Sequence, residues 1–73
     1  MKTITIEVSD EDAKLIESEL PDICTGDANS HGTLDLPKLT AMLLEDVVLA
    51  FRRPGSWEGA NMIQVLQSHG YEL

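Results

Sequence analysis

Cysteine occurs once in the 73 residues, at Cys24. That excludes an intramolecular disulfide, and no CxxC or Cys/His spacing offers a zinc staple. Cations are scarce: five Lys and Arg stand against thirteen Asp and Glu, for a formal charge of −8. Such a field repels phosphate backbones and favours basic surfaces, which weighs against direct binding to DNA or RNA. Long apolar runs are missing too. The longest uncharged one, Leu39 to Leu44 with a single Thr, is far short of the roughly 20 residues of a membrane span. A lone Lys2 ahead of an alternating segment does not read as a signal peptide. The expectation is a cytoplasmic protein, with which an unpaired cysteine agrees.

Hydrophobic residues make up 42% of the chain, enough for a globular fold. The length sets residues 1–73 as a single domain near the lower limit for an unassisted core. Small domains without staples often share a core with a second copy, so a homodimer is expected. Charge is unevenly placed. Residues 1–35 hold nine acids against Lys2 and Lys14, and residues 36–73 are close to balanced.

Residues Thr3 to Val8 alternate, with Ile4, Ile6 and Val8 on one face and Thr3, Thr5 and Glu7 on the other. Period two with β-branched residues predicts a half-buried strand. It needs a partner, sought near Gly32 to Leu34, at Tyr71 to Leu73, or in a second subunit. Ser9 reads as an N-cap before the acidic turn Asp10-Glu11-Asp12, and a first helix is expected over Asp10 to Leu20, ended by Pro21. Ala13, Ile16 and Leu20 would face inward, with Leu15 flanking. After a polar loop, Leu36 to Arg53 predicts a helix apolar around most of its circumference, hence buried. Asp35 would cap it, Pro37 falls in its first turn, and Pro54-Gly55 stops it. Ser56 would cap a last helix over Trp57 to Ser68, with Ala60, Ile63 and Leu66 or Val65 inward. Gly70 would take the left-handed C′ position, with Tyr71 packing on Leu66. The predicted fold is α+β: an N-terminal strand, then about three helices around a buried central one.

The loop DANSHGTLDLPK resembles an EF-hand calcium loop, with Asp27, Asn29, Gly32, Leu34 and Asp35 at its first, third, sixth, eighth and ninth positions. The resemblance implies oxygen ligands for calcium. Lys38 stands where the twelfth position needs a bidentate carboxylate, and His31 stands at the fifth. The preferred reading is an Asp/Asn/Gly turn that caps the next helix, and no metal or cofactor site is assigned. The first twenty residues resemble the start of a ribbon–helix–helix regulator or antitoxin. That resemblance implies a dimer strand built from Thr3, Ile4, Thr5, Ile6 and Glu7. Its face of Thr3, Thr5 and Glu7 would enter the DNA major groove. The face lacks arginine, and three acids open the helix beside it.

Little here supports catalysis. Cys24 and His31 share a loop, but no third group orients them, and neither a Gly-rich phosphate loop nor a GxSxG elbow occurs. A non-enzymatic protein is expected. Arg52, Arg53 and Trp57 form the most individual local cluster, with residue types enriched at binding hot spots. They are read either as a partner or dimer contact or as a helix cap with Trp57 stapled to the core. Asp10, Glu11, Asp12, Glu19 and Asp22 form a candidate acidic partner-binding face. In size and charge the chain looks like the small acidic inhibitors of phages and mobile elements, such as anti-CRISPR proteins and DNA mimics. That likeness of type implies a module that binds a basic, nucleic-acid-binding surface of a larger protein. The alternatives are the homodimeric regulator and a structural accessory subunit that makes its contact through Trp57.

Overall fold

A computed structural model describes residues 1–24 and 29–73. The elements in chain order are helices α1 (Asp10–Ile23), α2 (Leu36–Arg52) and α3 (Trp57–Ser68). No strand occurs among the described residues, so the α+β expectation is corrected to an all-helical fold. Thr3, Ile4, Thr5, Ile6 and Glu7 lie in irregular backbone, and Ile4, Ile6 and Val8 are exposed. The physical reason is the partner. Alternation specifies a strand only when a second strand takes its backbone hydrogen bonds, and residues 32–34 and 71–73 form none.

The chain divides into two compact units, Met1–Lys38 and Leu39–Leu73. In the first, the Ser9 side chain accepts the Asp12 N–H at 3.1 Å and caps α1. Asp10, Glu11 and Asp12 then occupy the first turn, where carboxylates oppose the positive end of the helix dipole. Ala13 and Ile16 are half-buried and Leu20 is buried, as their spacing predicts. Helix α1 does not stop at Leu20. It runs through Pro21 to Ile23, and the Cys24 N–H donates to the Leu20 carbonyl at 3.2 Å. Pro21 withholds one hydrogen bond and its ring crowds the preceding turn, so its effect is to close the helix within a few residues, at Ile23, and not at Leu20 itself. Asp35 caps α2 as expected, its Oδ1 accepting the Lys38 N–H at 2.9 Å.

In the second unit, α2 and α3 form a helical hairpin across Pro54-Gly55. The expectation of a buried central helix is corrected here. Ala50 is the buried residue of α2, whereas Leu43, Leu44, Val48 and Phe51 are all exposed. A helix apolar around its circumference needs neighbours on several sides, and within this unit α3 supplies one. On α3, Ile63, Leu66 and Met62 are half-buried, while Ala60 and Val65 are exposed. The closest approach is made by Gly59, which is buried against the backbone of Leu49 and Arg53. Helix α3 ends in a Schellman turn: Gly70 at φ 89°, the Tyr71 N–H on the Leu66 carbonyl at 3.1 Å, and the Gly70 N–H on the Gln67 carbonyl at 3.0 Å.

Candidate protein-interaction surface

Helix α1 organises the acidic residues. At about 100° per residue, Glu11, Asp12, Glu19 and Asp22 fall within an arc of about 100° turned away from Ala13, Ile16 and Leu20. All four are exposed. Asp10 is exposed too but lies roughly 100° outside that arc, so it joins the helix N-terminus rather than the face. Two neighbours bear on this face. Leu15 sits in the middle of the arc and is 61% exposed, an apolar spot ringed by carboxylates. Glu17 lies on another side of α1, where it lines a cleft.

That cleft belongs to the first unit and has a volume of about 440 Å³. Its walls are Glu17, Leu20, Pro21, Leu34, Asp35, Leu36 and Pro37. The Asp35 carboxylate is engaged as the cap of α2, which leaves the cleft a mainly apolar hollow without converging polar groups.

The remaining candidates are dispersed. Cys24 is half-buried, and its Sγ accepts the Leu34 N–H at 3.4 Å. His31 is exposed, with its Nδ1 2.7 Å from the Ser30 Oγ. Of the EF-hand-like positions, Asp27 lies outside the described residues. Among those described, no group of three or more His, Cys, Asp or Glu is placed to hold a metal ion. No helix of the described residues is long and apolar enough to cross a membrane.

Arg52 and Arg53 are exposed at the end of α2. The Arg53 carbonyl accepts both the Ser56 N–H at 2.9 Å and the Ser56 Oγ–H at 2.6 Å, and Ser56 Oγ in turn accepts the Gly59 N–H at 3.1 Å. This ties the turn to the start of α3 and leaves the guanidinium groups facing outward. Trp57 is 77% exposed, which corrects the expectation that it staples α3 to the core. At the first position of its helix it points off the hairpin while its carbonyl accepts from Asn61 Nδ2 at 2.7 Å. Comparison with protein-family models, with curated proteins and with solved structures yields no match to this chain.

Proposed function

We propose that the chain is a cytoplasmic, non-enzymatic interaction module whose helix α1 binds a basic, nucleic-acid-binding surface of a larger protein and so inhibits it. Charge density along a rigid rod is the observation that carries this reading. Between Asp10 and Asp22, α1 bears six carboxylates and one cation, Lys14. Four of the six, Glu11, Asp12, Glu19 and Asp22, share one exposed face, and over the rise of about 16.5 Å from Glu11 to Asp22 that is one negative charge per about 4 Å, of the order of the 3.4 Å per charge of one strand of a DNA duplex. A surface shaped to neutralise a nucleic-acid strand meets a matching charge ladder on α1, with Leu15 adding an apolar contact at its centre.

The test is a salt-controlled capture from bacterial lysate, treated with nuclease, by the wild-type chain and by a Glu11→Lys, Glu19→Lys variant. Glu11→Lys costs α1 about 0.3–1 kcal/mol at the positive end of its dipole, and far-ultraviolet circular dichroism of the variant checks that its helices are kept. The expected result is a nucleic-acid-binding protein held by the wild type at low salt, released at high salt, and absent with the variant. An undiminished capture by the variant would sink the proposal.

One observation favours a second reading. Trp57, with Arg52 and Arg53 beside it, is a large exposed anchor of the kind that dominates interface energetics. An accessory subunit that docks through this end of the hairpin would lose its partner on Trp57→Ala and keep it on charge reversal of α1.

A further inference from the structure

The described walls of the cleft in the first unit include none of residues 1–8. Those residues belong to the same unit and lead into α1. Ile4, Ile6 and Val8, each two residues from the next, are 54%, 53% and 45% exposed. In extended backbone such residues share one side, with Thr3, Thr5 and Glu7 on the other. The segment thus carries an exposed apolar edge, and the cleft is an open, mainly apolar hollow.

Helix α1 puts the two within reach of each other. Turning about 100° per residue from Leu20 back to Ser9 returns to within about 20° of the same direction, so the chain enters α1 on the side that carries Leu20. Ser9 itself has φ −58° and ψ 144°, which passes directly into extended backbone. Along the helix, Ile16 lies about 10.5 Å and Leu20 about 16.5 Å from Ser9. Along an extended chain at about 3.3 Å per residue, Ile6 lies about 10 Å and Ile4 about 16.5 Å from Ser9. Folded back beside α1, Ile6 comes about level with Ile16, and Ile4 about level with Leu20.

We propose that residues 3–8 are a strap that closes over this cleft, with Ile4 entering between Leu20, Leu34 and Leu36 and Ile6 lying against Ile16. The two surfaces match in chemistry. The cleft has no converging polar groups and the Ile4–Val8 edge brings none, so closure buries no side-chain donor or acceptor, while Thr3, Thr5 and Glu7 stay in water. Closure is also intramolecular. The short tether to Ser9 sets an effective concentration in the mM range, at which a weak apolar contact is enough. An apolar side chain of another molecule then reaches the cleft only by displacing Ile4, which makes the strap an autoinhibitory cover. The acidic arc of α1 is centred about 130° away from Leu20 and stays uncovered in both states.

The experiment is methyl-labelled nuclear magnetic resonance on the full wild-type chain. Closure predicts cross-peaks from the Ile4 methyls to those of Leu20 and Leu34, and from Ile6 to Ile16. Ile6→Asp should weaken the Ile4 cross-peaks several-fold. In parallel, an Ile4→Cys chain is oxidised with glutathione disulfide at low protein concentration. Cys24 follows Leu20 at a rise of about 6 Å, and disulfide-linked Cα atoms lie about 4.4–6.8 Å apart, so a bond within one chain from Ile4→Cys to Cys24 is expected. Adding Ile6→Asp should slow its formation several-fold. The absence of cross-peaks from Ile4 or Ile6 to Leu20, Leu34 or Ile16 overturns the proposal. So does a disulfide that forms as fast with Ile6→Asp, as a random tail would give, or one that links two chains. The acidic face of α1 is tested separately by charge reversal.

Discussion

Replacing Gly59 with alanine sets two opposing effects of known sign against each other. Alanine in a helix is favoured over glycine by up to about 1 kcal/mol, so propensity alone predicts stabilisation. The packing predicts the reverse. A Cβ built on Gly59 comes 2.5 Å from the Arg53 carbonyl oxygen, 2.6 Å from that of Leu49, and 2.9 Å from the Leu49 carbonyl carbon. Comfortable non-bonded contacts are about 3.5–4.0 Å, so α3 has to retreat by about 1 Å. The obstacles are main-chain atoms of α2 and of Arg53 just after it, and they have no rotamer into which to withdraw. The Arg53 carbonyl is also the acceptor for the Ser56 N–H and hydroxyl, so the retreat strains the hydrogen bonds that start α3. Overpacking costs about 1–3 kcal/mol, and each strained bond about 0.5–1.5 kcal/mol more. After the propensity gain is subtracted, a net loss of about 2 kcal/mol remains, a fall in Tm of roughly 8–16 °C for a chain of this size. Thermal denaturation followed by far-ultraviolet circular dichroism reads it directly. An unchanged or raised Tm would refute the close approach of α3 to α2.

Three further outcomes follow from the local geometry. Ser56→Ala removes both the cap on Gly59 N–H and the hydroxyl donated to Arg53, and is expected to lower stability by about 1–2 kcal/mol in urea titration. Gly70→Ala forces a side chain onto a φ of 89°, costing about 1–2 kcal/mol in the same assay, whereas Gly55, with ordinary φ and open space around it, should tolerate alanine within about 0.5 kcal/mol. Ile6→Pro should change the unfolding midpoint by an equivalent of less than about 0.5 kcal/mol, because residues 3–8 form no ladder; a loss of several times that would restore a paired strand.

The helices were legible because their ends are written in short-range chemistry. Ser9, Asp35 and Ser56 cap them, and Gly70 closes the last one, each by contacts within a few residues. Helix α3 accordingly spans the predicted Trp57–Ser68, and α2 ends one residue short of the expected Arg53. What failed was every inference that depends on a distant partner. The alternation of Ile4, Ile6 and Val8 is a real period of two, yet a period cannot supply a second strand. The apolar circumference of α2 reads as burial, but burial needs neighbours on every side, and Leu43, Leu44, Val48 and Phe51 are exposed. Gly59 had no local signature at all, since its role depends on where Leu49 and Arg53 pass. On the acidic face, spacing on a helix groups Glu11, Asp12, Glu19 and Asp22. Asp10 adjoins them in sequence but not in angle, and Leu15, which reads as flanking the inward stripe, is exposed amid the carboxylates.

The most direct test of the central claim is the affinity of the captured partner for this chain as a function of salt, with the wild type, the Glu11→Lys, Glu19→Lys variant and Trp57→Ala side by side. If α1 stands in for a nucleic-acid strand, log K falls linearly and steeply with log salt. Duplex DNA then displaces the chain, charge reversal removes the binding, and Trp57→Ala leaves it nearly unchanged. An affinity flat in salt, kept by the charge-reversed variant and lost with Trp57→Ala, would contradict the account.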